Sequence, residues 1–206
     1  MEILDKKTSL PPEKKLIRMY LIFLTIVSLM ALVYFFGHLI SEEELKIAFL
    51  WAISYNILLS FYYYLSYHYY DELKGNRALP YLHTFLEIST LSVVIYFMKE
   101  VYGAAIILTG PLTMLYILFI FMTSYRGRWD LVVFATLVSI VEHGVIFWLF
   151  LAEVPMSYKI NLIDLGWPGF IQKNVYYILS GAGSAALAAE IARGRIQTES
   201  GNQQTD

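Results

Sequence analysis

"YYYLSYHYYDELKGNRALPYLHTFLE", residues 62–87, carries two long apolar runs around one short polar turn. The charged and turn-forming residues fill only its middle, from Asp71 to Arg77, and the chain is apolar again from Leu79. A connection this short makes the helices on either side antiparallel neighbours. Each flanking run reaches the length of about 20 apolar residues that a helix needs to cross a bilayer. The stretch therefore reads as the turn of a transmembrane helical hairpin. Its two histidines, His68 and His83, sit at the edges of the turn rather than within it.

The same pattern repeats along the chain. Six segments qualify as spans: Leu16–Ile40, Ile47–Tyr70, Pro80–Met98, Tyr102–Tyr125, Trp129–Ala152 and Pro168–Ala192. The expected fold is all-α, a polytopic six-helix membrane bundle spanning residues 16–195. Residues 1–15 form a cytoplasmic segment, and residues 196–206 a disordered tail that can begin a linker to an output domain. One connection is longer, "EVPMSYKINLIDLGWPGF", whose Tyr158, Trp167 and prolines suit a membrane interface. Pro111, after Gly110, is expected to kink the fourth span.

Composition agrees. Of 206 residues, 58% are hydrophobic and only 16% charged, too few charges for a soluble domain of this size. A net charge of −2 argues against a nucleic-acid partner. The chain has no cysteine, which excludes disulfides, thiolate metal ligands and covalent haem attachment. Lysine and arginine give the orientation. Lys6, Lys7, Lys14, Lys15, Arg18, Lys74, Arg77, Arg126, Arg128, Arg193 and Arg195 fall on one side, against Lys46, Lys99, Lys159 and Lys173 on the other. The positive-inside rule then puts both termini in the cytoplasm.

Ionisable groups within spans are functional candidates by default. All four histidines fall in the expected spans. His68 and His83 share the inner leaflet, and His38 and His143 the outer half. Each pair can supply the two axial imidazoles of a b-type haem, giving one or two haems per chain. A zinc ion on His68, His83 and Glu87 is an alternative that lacks an evident fourth donor. Glu87 lies one turn from His83 on the same face, and Glu142 adjoins His143. Both are candidates for a ligand site, a proton relay or a hydrogen bond between helices. Interfacial anchoring alone also accounts for histidines near helix ends.

The end of the sixth span, "LSGAGSAALAAEIARGRIQ", is a run of small residues on which helices approach closely. It suits pairing in a homodimer and relay to the cytoplasm.

The third span, "PYLHTFLEISTLSVVIY" with Leu86-Glu87-Ile88-Ser89, follows a short basic turn and precedes a span containing Gly-Pro. From Leu16 to Arg195 this layout resembles the six-span membrane anchors of bacterial class III adenylate cyclases. It is also similar to the six-span sensor module of quorum-sensing histidine kinases. The resemblance implies a receptor domain in a bacterial cytoplasmic membrane. The histidines of this sequence add haem redox state as the signal, with a quinone or another lipophilic ligand as the alternative. It implies no catalysis by this chain, in which no cyclase active site is found. The alternatives are a small dihaem cytochrome b and a proton-coupled transporter.

Overall fold

The computed structural model describes residues 11–36, 43–154 and 166–203. These residues are helical throughout, with short turns and, among the described residues, no strand. They fall into two units, Met1–Arg77 and Ala78–Asp206.

The first unit holds α1 (Pro12–Phe36), α2 (Glu43–His68) and the single turn α3 (Tyr70–Leu73). Helices α1 and α2 pack as an antiparallel pair, with the start of α1 against the end of α2. Tyr20 stacks on Tyr63 with ring centroids 5.3 Å apart, and Lys14 reaches Asp71 at 3.1 Å. Leu16, Ile17, Leu24, Ile53, Leu59 and Tyr63 form the buried seam. Lys14 also lies over the rings of Tyr67 and Tyr70, so the tyrosine-rich end of α2 anchors the basic start of α1.

The second unit is built from α4 (Leu79–Tyr102), α5 (Ala104–Thr109), a 3-10 turn (Pro111–Met114), α6 (Leu115–Ser124), α7 (Trp129–Glu153) and α8 (Trp167–Gln203). Pro80 sits in the first turn of α4, where its missing N–H costs nothing. Two turns need a left-handed backbone and use glycine for it, Gly103 (φ 80°) after α4 and Gly127 (φ 69°) before α7. Helix α7 is central. Ser139, His143, Phe147 and Phe150 are buried, while Leu137, Val141, Val145 and Trp148 face outward. A helix that is apolar on both faces suits a membrane span.

Among the described residues, three helices are long and apolar enough to cross a membrane: Leu79–Lys99, Trp129–Glu153 and Trp167–Gly194. The expected fourth span, Tyr102–Tyr125, is not one helix. Gly110 adopts an extended backbone (φ −75°, ψ 174°) and Pro111 brings no N–H, so the chain stops at α5 and restarts through the 3-10 turn. Pro111 therefore breaks the span rather than kinking it. The apolar remnant Pro111–Ser124 is shorter than a span.

Helix α8 runs antiparallel to α7. Trp167 meets Phe147, Phe170 stacks on His143, and Gly181 lies against Thr136. At that register the start of α7 lies opposite residues near Ala188. The rest of α8, to Gln203, extends about 22 Å beyond, at 1.5 Å per residue. Composition assigned residues 196–206 to a tail, yet 196–203 continue the helix.

Candidate functional site

Polar and charged residues are concentrated inside the second unit, in three places.

The first is an ion pair near the turn that joins α6 to α7. Arg126, just past α6, reaches back to Glu87 on α4. Its guanidinium donates to Glu87 Oε1 at 2.5 Å and Oε2 at 3.1 Å, and to Thr84 Oγ1 at 2.8 Å. Side-chain exposure is 2% for Arg126 and 8% for Glu87, so the pair is removed from solvent. A forked guanidinium satisfies both carboxylate oxygens at once. Outside it lies a more exposed layer. Asp130 accepts from Arg128 at 2.5 Å and from the Tyr81 hydroxyl at 2.6 Å. The Asp130 carboxylate holds the Arg128 guanidinium above its ordinary range.

The second place is the broken helix. With Gly110 extended, carbonyls at the end of α5 lose their intrahelical donors. Lys173 of α8 supplies one donor in their place, and Tyr177 bonds the 3-10 turn that follows. The Lys173 ammonium donates to the Leu108 carbonyl and, at 2.9 Å, to Thr113 Oγ1, and the Tyr177 hydroxyl donates to the Thr113 carbonyl at 2.6 Å. Lys173 is buried at 7% exposure, in a position where a helix C-terminus favours a cation.

The third lies between α4, α6 and α7. Glu142 accepts hydrogen bonds from Ser89 at 2.5 Å and from Ser92, and Ser92 pairs with the Tyr116 hydroxyl at 2.5 Å. Tyr116 also touches Tyr177 and His143, with ring centroids at 5.7 Å and 6.4 Å.

Comparison with protein-family models, with curated proteins and with solved structures gives no match.

The expected site residues scatter across these features. Glu87 is the partner of Arg126. Glu142 meets hydroxyls of α4 rather than its neighbour His143. The His143 ring stacks on Phe170 at 5.2 Å and meets Tyr177 edge-on at 5.3 Å. A porphyrin on His143 would have to displace those rings, so this residue does not fit an axial ligand as it stands. His38, its expected partner, lies outside the described residues. His83 is fully buried on α4 in the second unit. His68 ends α2 in the first unit, exposed and stacked against Tyr64. Among the described residues, no three His, Cys, Asp or Glu side chains gather as a metal site.

Two residues that matter here entered the sequence reading only as charges that set the orientation. Arg126 and Lys173 are both buried. For Lys173 the signal was present, since it falls inside the expected span Pro168–Ala192. Ser89, Ser92 and Tyr116 carry no such signal, because isolated hydroxyls are common in membrane helices.

The small-residue run of α8 also divides. Gly181, Ser184 and Ala188 are buried, and a Cβ on Gly181 would lie 2.3 Å from Thr136 Oγ1. Ala182, Gly183 and Ala186 point away from the unit. One part of the run lets α8 approach α7, and the other leaves an outer face of small side chains.

Proposed function

We propose that the chain is the membrane-embedded sensor domain of a signalling protein, with six spans, both termini in the cytoplasm and α8 as its output element. The supporting observation is α8 itself. It is one helix of 37 residues whose first half carries the buried Lys173 and Tyr177 and whose last turns leave the bundle. A change in packing at the α5–α6 break is felt directly by Lys173 and Tyr177. A continuous helix passes rotation or tilt along its length without further parts. The outer face at Gly183 and Ala186 suits a second copy of the chain, since small residues let helices approach closely within a bilayer. Removing the buried Arg126 and Lys173 from the charge tally takes one from each side, so the basic bias toward the termini persists. The adenylate cyclase-like layout fits this reading, and the ligand class it favours is lipophilic.

The test is a fusion of the full chain to a soluble adenylate cyclase catalytic domain after Asp206. Inserting one residue after Arg195 turns everything beyond it by about 100°, whereas seven residues return it to nearly the same phase. Cyclase output should change with one inserted residue and recover with seven. Output indifferent to both insertions defeats the reading.

A second reading, a coupled transporter, draws on the broken helix, since transporter sites form where helices are discontinuous and charged groups face the break. It predicts uptake by proteoliposomes that Lys173→Met abolishes.

A further inference from the structure

Several charged side chains of the second unit are matched by opposite charge, and Lys173 is held by carbonyl and hydroxyl oxygens. Glu87 has Arg126, Asp130 has Arg128, and Lys99 meets Glu153 at 2.8 Å. Glu142 differs. Among the described residues, no lysine, arginine or histidine nitrogen lies within ion-pair distance of it, and its contacts are hydroxyl groups alone. It stands near the middle of α7, the most apolar of the three membrane-length helices. A lone carboxylate at that depth is costly unless something positive joins it.

We propose that Glu142, Ser89, Ser92 and Tyr116 form a binding site for a monovalent alkali cation. Together they offer five hard oxygen atoms from three helices, the donor type that suits alkali and alkaline-earth ions rather than transition metals. Ser89 Oγ lies 2.5 Å from Glu142 Oε1, Ser92 Oγ bonds Oε2, and the Tyr116 hydroxyl lies 2.5 Å from Ser92 Oγ. Because Ser92 gives its proton to the carboxylate, Tyr116 is the donor in the second bond. Each hydroxyl oxygen therefore keeps at least one lone pair free for an ion. A further hydroxyl lies one turn away on α7. Ser139 is fully buried and its Oγ has no hydrogen-bond partner among the described residues.

Charge balance selects the valence. One carboxylate and three neutral hydroxyls sum to −1, so a +1 ion leaves the site neutral within the bilayer. A divalent ion would leave +1 there, with the same penalty as the bare carboxylate in the opposite sign. The half-buried carboxylate bridges α4 and α7 and, through Tyr116, α6. An ion there ties three helices together. This inference is independent of the sensor and transporter readings, because either kind of protein can use such an ion.

The experiment is thermal unfolding of the detergent-purified full chain, followed by tryptophan fluorescence. Sodium chloride is exchanged for choline chloride at constant ionic strength. An ion that binds only the folded state raises the midpoint by mass action. Sodium should raise the wild-type midpoint by about 5 °C in a saturable way, and choline should not. Glu142→Gln should abolish the sodium response, and Ser92→Ala should shift its midpoint to at least about tenfold higher sodium. Ser92→Ala also carries the test if the glutamine variant does not fold. A wild-type response no greater than that to choline overturns the proposal, as does a sodium response retained in both variants. Repeating the series at pH 5.5 and 8.5 separates the other monovalent cation. If acid alone stabilises the wild type, with no sodium effect at any pH, a proton neutralises Glu142 and the alkali-ion site is refuted.

Discussion

Replacing Arg126 by methionine removes a guanidinium and keeps most of its apolar stem. Three hydrogen bonds disappear, two to Glu87 and one to Thr84. Thr84 still donates to the Pro80 carbonyl, at 2.9 Å. Glu87, however, loses the counter-charge that the guanidinium supplied, and breaking a buried pair from one side costs about 3–5 kcal/mol. Glu87→Met, which strands the guanidinium instead, should cost a similar amount. The double variant removes both charges and fills the space with apolar side chains. It should return to within about 1 kcal/mol of the wild type, or exceed it, because the pair must recover its own desolvation before it stabilises anything. The two single losses should therefore fail to add by about 5 kcal/mol or more. Equilibrium unfolding in mixed micelles of increasing denaturing-detergent content, read by tryptophan fluorescence, measures all four proteins. Single losses below about 1 kcal/mol, or a double variant that loses the sum of the two, would refute the view that this pair is dry and mutually dependent.

Four further outcomes are expected. Gly181→Ala should destabilise by about 1–3 kcal/mol in the same assay, because its Cβ would sit 2.3 Å from Thr136 Oγ1. Gly183→Ala, with nothing within 4 Å of the added carbon, should stabilise by about 0.5–1 kcal/mol through helix propensity. Lys173→Met leaves the Leu108 carbonyl and Thr113 hydroxyl without their α8 donor. It should cost about 1–3 kcal/mol and speed amide hydrogen exchange in α5 and the turn after it. Asp71 is held below its ordinary value of 3.8, chiefly by the hydrogen bond from Lys14. A depressed carboxyl supports the fold above that value and loses its contribution as pH falls through its own lower one. Acid titration should therefore loosen the start of α1 below about pH 3.8 in the wild type but not in Asp71→Asn, as followed by exchange at residues 14–18.

The sequence made the helical, membrane-facing character of the chain plain, because long apolar runs admit few other structures. Boundaries came close where a turn residue marks them, as at Gly103 and Gly127. They failed at Gly110-Pro111, where proline permits either a kink or a break. Which one occurs depends on whether a donor from elsewhere can take up the freed carbonyls. Lys173 does so at Leu108, and it lies more than 50 residues away in the chain. The site was legible only in part. Glu87 and Glu142 stood out because carboxylates in apolar runs are rare, but their partners did not. Arg126 lies at the edge of a span, where a basic residue ordinarily marks the membrane surface. Histidines drew attention by chemical type alone, and His143 proves to be packed among aromatic rings.

The close approach of Gly181 to Thr136 has a mechanical consequence. A tilt of the helix about that crossing moves its two ends unequally. From Gly181 back to Lys173 is about 12 Å along the axis, and onward to Gln203 about 33 Å. Helix α8 is thus a lever whose long arm is nearly three times its short one. A displacement of about 1 Å at the lysine becomes nearly 3 Å at the far tip.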